Sequence, residues 1–97
     1  MNDYELVQQL IGLVRRLYDE SAGFHDIPED QQLWYNRGYA NGMARELERA
    51  GYGCRLREQV DPDPEDIIEG QQLTPWGRAY GHGLEMGECQ CLEALSK

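Results

Sequence analysis

Apolar side chains recur every three or four positions along three stretches of the chain, which is the spacing of an amphipathic α-helix. The clearest stretch covers residues 3–20. Its apolar stripe comprises Leu6, Val7, Leu10, Ile11, Val14, Leu17 and Tyr18. Asn2 and Glu5 have the spacing of a capping box, and Gly23 follows at a position suited to a helix end. The pattern therefore predicts a first helix over about residues 3–20.

Two more helices are predicted from their boundary residues. Asp26 and Glu29 have the spacing of a second capping box, and Pro28 suits the first turn of a helix, which together predict a helix over about residues 28–50. At the Thr74-Pro75 pair a preferred N-cap residue precedes a proline, so we expect a third helix over about residues 75–95.

The stretch between the second and third helices, residues 54–73, is the least regular part of the sequence. Two Asp-Pro steps at residues 61–64 exclude regular structure there, because each proline moves the residue before it out of the helical region. Apolar and polar residues alternate loosely over residues 54–60, and Ile67 and Ile68 follow. These two segments would allow a short β-hairpin. We therefore expect one all-α domain over residues 1–97, with three helices and an irregular acidic connector between the second and third, flanked at most by this hairpin.

The second and third predicted helices carry the same motif, Arg-small-Tyr-x-x-Gly, at an offset of 41 residues. Residues 35–43 match residues 76–84 with identical Arg, Tyr and Gly. On each helix the aromatic and glycine positions fall on one stripe, away from Arg37 and Arg78. The two stripes comprise Tyr35, Gly38, Tyr39 and Gly42, and Trp76, Ala79, Tyr80, Gly83 and Gly87.

A stripe of glycines indicates that another backbone comes close. Each glycine within a helix costs about 0.5–1 kcal/mol relative to alanine, and close helix packing is the usual reason to keep it. We interpret the two stripes as a seam between helices, either within one chain or across a dimer interface. Because near-identical stripes suit a symmetric interface, we expect the chain to form a homodimer. A groove for a partner's peptide and a small-molecule pocket are the alternatives.

The net charge of the chain limits the classes of molecule that it is expected to bind. A net charge of −9 disfavours direct binding to nucleic acid. Residues 54–73 alone carry −4, with six acids: Glu58, Asp61, Asp63, Glu65, Asp66 and Glu69. We predict that these acids form a contact patch for a basic protein partner; a solvated loop and weak cation binding are the alternatives. The EF-hand pattern fails, because Asp66 stands where that loop needs glycine.

The candidate metal ligands are sulfur, imidazole and carboxylate side chains. They comprise His82, Met86, Cys89 and Glu93 on one stripe of the third helix, with Cys54 and Cys91 as further donors. Structural zinc requires two closely spaced ligand pairs, and no second pair accompanies Cys89-x-Cys91. We therefore expect no bound metal and no cofactor. Three cysteines do not make a disulfide framework, which favours a reducing cytoplasm.

Catalytic and membrane signatures are missing from the sequence. Cys–His catalysis needs an electropositive setting that lowers the thiol pKa, which an acidic chain does not offer. There is no serine elbow, phosphate loop or dinucleotide fingerprint. The longest apolar run, around Leu10 to Val14, is far shorter than the roughly 20 residues that span a bilayer. We predict a protein that is not an enzyme and does not enter a membrane.

In its small size, its acidity and its lack of catalytic groups, the chain resembles the small phage-encoded inhibitors of bacterial defence complexes, anti-CRISPR proteins among them. The resemblance is one of overall character across the whole chain and involves no family motif. It implies binding to a larger, basic, nucleic-acid-handling complex in the bacterial host cytoplasm, with the connector acids in place of phosphates. Two alternatives stay open: a structural or regulatory homodimer without an inhibitory role, and a metal or thiol sensor that uses His82, Cys89 and Cys91.

Overall fold

The computed structural model describes residues 2–96, which form four α-helices joined by turns. The helices are α1 (Asp3–Glu20), α2 (Gln31–Arg49), α3 (Gly53–Arg57) and α4 (Pro75–Leu95), with a 3₁₀ helix at Phe24–Asp26 between α1 and α2. The all-α class is confirmed, and α1 and α4 have the bounds predicted for the first and third helices. The fourth helix, α3, was not predicted.

The second helix begins three residues later than the sequence predicted. The side chain of Asp30 accepts the backbone N–H of Leu33 at 3.1 Å, so Asp30 is the N-cap. Asp26 instead ends the 3₁₀ helix. The indole N–H of Trp34 donates to the carbonyl of Ile27 at 3.1 Å, which holds the turn before α2 in place. This tertiary contact favours the later cap over the earlier one.

The connector contains a short helix in place of the alternative hairpin. Residues 53–57 are α-helical, and no strand occurs anywhere in residues 2–96. Leu56 and Val60, four positions apart, are both buried in the core. That spacing is helical, so the alternation over residues 54–60 was misleading. The rest of the connector, residues 58–73, consists of turns and irregular backbone, as predicted.

Two apolar clusters form the core, and α2 contributes to both. The larger cluster joins α1, α2, α3 and the end of α4: Val7, Ile11, Val14, Ala40, Met43, Ala44, Leu47, Leu56, Val60 and Cys91. The smaller one lies around the 3₁₀ helix: Phe24, Trp34, Ile68 and Tyr80. Ile68 belongs to the connector, so the connector is anchored in the core beyond its prolines.

α2 and α4 run parallel to each other. Gly38 lies against the backbone of Tyr80 and Leu84, and Gly42, one turn later, lies against Leu84 and Glu88. The partner on α4 thus advances in the same direction as the residue on α2. Parallel neighbours cannot be joined by a tight turn, and here the long connector with α3 makes the crossing. None of the helices within residues 2–96 combines the length and apolarity that a membrane crossing needs.

Candidate functional site

The seam glycines of α2 stand directly on the backbone of α4. A Cβ atom added at Gly38 would lie 2.0 Å from the carbonyl oxygen of Tyr80, and one at Gly42 would lie 2.2 Å from that of Leu84. Both distances are far below van der Waals contact. Only glycine therefore allows α4 to come this close.

The glycines of α4 do the same in the opposite direction. A Cβ atom at Gly83 would lie 2.1 Å from the carbonyl oxygen of Tyr35, and one at Gly87 would lie 2.1 Å from that of Tyr39. Each helix thus supplies one Gly-x-x-x-Gly pair to a contact within a single chain. Because α2 and α4 of the same chain fill this contact, the seam offers no free face to a second copy.

The contact register differs from the register of the repeated motif. The motif repeats at 41 residues, whereas seam partners lie between 42 residues apart (Gly38 and Tyr80) and 48 residues apart (Gly87 and Tyr39). The helices therefore meet about one turn out of register with their sequence match.

The aromatic residues of the two stripes differ in their burial and in their contacts. Tyr80 is buried, and Trp76 packs against Trp34 with 6.4 Å between ring centroids. The hydroxyl of Tyr39 donates across the seam to the side chain of Gln90. Tyr35 is half-buried and packs against the ring of His82.

Arg37, outside the predicted seam, forms a buried ion pair with Asp63 of the connector. The guanidinium Nη1 of Arg37 donates to Asp63 Oδ2 at 3.0 Å, and the side chains are only 10% and 17% exposed. The amide Nδ2 of Asn41 donates to the same carboxylate oxygen at 2.9 Å. We call Arg37, Asn41 and Asp63 the carboxylate clamp.

Other polar atoms around the clamp also form hydrogen bonds. Arg37 Nε donates to the hydroxyl of Ser21 at 2.8 Å, and its guanidinium lies 4.1 Å from the ring centroid of Tyr18. The Tyr18 hydroxyl accepts the backbone N–H of Asp63 at 2.7 Å and donates to the side-chain oxygen of Asn41. Burial raises the pKa of the Tyr18 hydroxyl, so it stays a donor. This network fixes the connector to α1 and α2.

Asp63 therefore does not belong to the acidic patch predicted from the sequence. The other five acids are exposed, and none has an ion-pair partner in the part of the chain that the structure describes. They are Glu58, Asp61, Glu65, Asp66 and Glu69, which we call the connector face. The clamp at Asp63 and the buried side chains of Val60 and Ile68 hold the segment that displays them.

A shallow groove of about 390 Å³ is lined by residues of α2 and α4 alone. We call the side of the helix pair that carries this groove the open side. Its lining includes Gln32, Tyr35, Pro75, Arg78, Ala79 and His82. The rings of Tyr35 and His82 meet edge to face, with 5.8 Å between their centroids. Arg78 is exposed and forms no ion pair with any residue in the range 2–96.

The candidate metal ligands are not gathered. Within residues 2–96, no group of three or more His, Cys, Asp or Glu side chains is placed to hold a metal ion. Cys54 and Cys89 are exposed, whereas Cys91 is buried. Burial, with a smaller contribution from nearby Glu46, raises the pKa of the Cys91 thiol to about 11.

The three thiols should react at two different rates. Cys54 and Cys89 should react quickly with dithionitrobenzoate at pH 8, and Cys91 far more slowly, because it is buried and only about one part in a thousand is thiolate. Mass spectrometry of the labelled peptides measures each rate. In urea all three rates should become similar. Equal rates in the native protein would contradict the placement of Cys91.

The comparisons with known proteins give no relative: no protein-family model, no curated protein and no solved structure matches the chain.

Proposed function

We propose that this chain is a protein-interaction module that binds a basic surface of a larger partner through the connector face. One observation carries the proposal: five exposed carboxylates without ion-pair partners among residues 2–96 are displayed from a segment held in place by a buried clamp. Carboxylates that already have cationic neighbours would lose those contacts on binding. The connector acids lose none.

Rigidity of the connector adds to the case. A mobile acidic loop loses conformational freedom when it docks, and that loss opposes binding. Here two prolines, the clamp at Asp63 and the burial of Ile68 order the segment before any partner arrives. Complementary charge then increases the association rate and selects basic partners.

The finer proposal concerns the partner. The resemblance in size and acidity to phage-encoded inhibitors supports a nucleic-acid-handling complex of a bacterial defence system as the target, with inhibition as the effect. The carboxylates of the connector face would occupy basic side chains that otherwise contact phosphates. Occupation of a surface, without catalysis, is then the whole activity.

A capture experiment with a charge-matched control tests the connector face. The patch variant carries Glu58→Gln, Asp61→Asn, Glu65→Gln, Asp66→Asn and Glu69→Gln. The control variant neutralises five exposed acids elsewhere that also lack ion pairs within residues 2–96: Glu5, Asp19, Glu29, Glu85 and Glu93. Both variants change the net charge equally, so only the position of the charge differs.

We expect the immobilised wild-type chain to capture a basic protein or complex from bacterial lysate. The patch variant should bind it at least about fivefold more weakly, because exposed ion pairs contribute about 0.2–1 kcal/mol each, or about 1–5 kcal/mol for all five. The control variant should bind nearly as well as the wild type. Equal weakening by both variants would show that net charge alone matters. Unchanged capture by the patch variant would contradict the proposal.

A further inference from the structure

The open groove contains the counterparts of the two residues that hold Asp63. At the 41-residue offset of the repeated motif, Arg78 corresponds to Arg37, and His82 corresponds to Asn41. Within each copy the two residues are four positions apart, so they lie one turn apart on the same helix face. The first pair has a carboxylate, and the second pair has none among residues 2–96.

The geometry of the seam explains why only one pair is covered. Each of these four residues comes directly before a small residue on the stripe of its helix that faces the seam. Asn41, for example, precedes Gly42, and His82 precedes Gly83. Because α2 and α4 are parallel and face each other, equivalent faces of the two helices point to opposite sides of the helix pair. α1 and the connector cover the side of Arg37. The side of Arg78 and His82 is exposed.

The donor chemistry of the two pairs is also equivalent. Arg37 and Asn41 each direct one N–H to a single carboxylate oxygen, at 3.0 and 2.9 Å. Arg78 supplies the same guanidinium, and the imidazole of His82 has a ring N–H to offer in place of the amide N–H. Guanidinium paired with carboxylate is among the stronger charge-assisted hydrogen bonds. The contact of His82 with Tyr35 places its ring beside the groove.

We propose that the groove on the open side of α2 and α4 is a carboxylate-binding site. In this site Arg78 and His82 do for an external carboxylate what Arg37 and Asn41 do for Asp63. The carboxylate is carried either by a free carboxylic acid or by an acidic side chain of a second copy of this chain. A second copy can supply the carboxylate, since each copy displays the five carboxylates of the connector face. The site itself does not rest on the proposed function, although a second copy would use the same carboxylates as the partner proposed for the connector face.

Nuclear magnetic resonance with acetate as the probe tests the site in the intact protein. Sodium acetate is titrated against sodium chloride at constant ionic strength, and the Arg78 Nε–H and His82 ring signals are followed. We expect saturable shifts at both residues. Arg78→Gln should weaken acetate binding at least tenfold. The matched control is Arg15→Gln, because Arg15 is also exposed and without an ion pair in the described part of the chain.

A dilution series without acetate identifies the source of the carboxylate. If a second copy supplies it, the same signals shift as protein concentration rises. Arg78→Gln then abolishes the shift, and Arg15→Gln preserves it. If the signals respond to acetate alone, the ligand is a free carboxylic acid. If acetate affects Arg15 and Arg78 equally, or neither series moves the Arg78 and His82 signals, the carboxylate site is overturned. Unchanged thermal melting of both variants shows that the fold is intact.

Discussion

Replacing Gly83 with alanine should destabilise the protein by at least about 3 kcal/mol, which is beyond the usual cost of overpacking a core. The added Cβ would lie 2.1 Å from the carbonyl oxygen of Tyr35. Backbone cannot move aside as a side chain can, so α2 and α4 must separate along their length. Urea denaturation followed by circular dichroism measures the loss in the free energy of unfolding.

Gly81 provides a matched control on the same helix. Nothing lies within 4 Å of a Cβ atom built at Gly81, and its backbone is helical. Gly81→Ala should therefore stabilise the protein by about 0.5–1 kcal/mol, since alanine is the better helix former. Opposite signs at two positions two residues apart would be difficult to explain by helix propensity. Stabilisation by both substitutions would show that the seam is not closely packed.

Removing the guanidinium of the clamp should have the second large effect. Arg37→Met leaves the carboxylate of Asp63, which is mostly buried, without its cation, and it leaves the hydroxyl of Ser21 without its donor. Loss of one partner from a buried ion pair costs about 3–5 kcal/mol, and we expect a cost in that range from equilibrium unfolding. The connector should also become more open to proteolysis, because Asp63 no longer holds it.

A double-mutant cycle separates the ion pair from the packing of Arg37. The cycle combines Arg37→Met with Asp63→Leu, and the coupling energy should exceed about 1.5 kcal/mol, the upper part of the range for contacting residues. The control cycle is Arg57→Met with Glu48→Gln, an exposed pair for which we expect under about 1 kcal/mol. A coupling as small at the clamp as at the surface would mean that the connector is held by its apolar contacts alone.

The sequence predicts the start of a helix correctly in this chain where only one nearby residue is suited to be the N-cap. Asn2 accepts the backbone N–H of Glu5 at 2.8 Å, and Thr74 accepts that of Gly77 at 2.9 Å, both as the sequence predicted. The start of α2 was predicted wrongly because two aspartates with capping chemistry lie four residues apart. Local rules do not choose between them, and the contact of Trp34 with the preceding turn does.

Other features depend on the assembled fold and have no local signal. The sequence predicted a stripe of glycines, but the one-turn shift of its contacts arises from how α2 and α4 settle against each other. The ion pair of Arg37 with Asp63 joins residues 26 positions apart, so no periodicity reveals it. A short run such as residues 54–60 is ambiguous between helix and strand until its burial is known.

The most direct test of the central claim is the salt dependence of affinity between the captured partner and this chain. The dissociation constant is measured by calorimetry from 50 to 500 mM sodium chloride, for the wild type, the patch variant and the control variant. If the connector face binds a basic surface, wild-type and control affinities should fall steeply with salt, and the patch variant should be weak and nearly insensitive to salt. A patch variant that matches the wild type in affinity and in salt dependence would contradict the account.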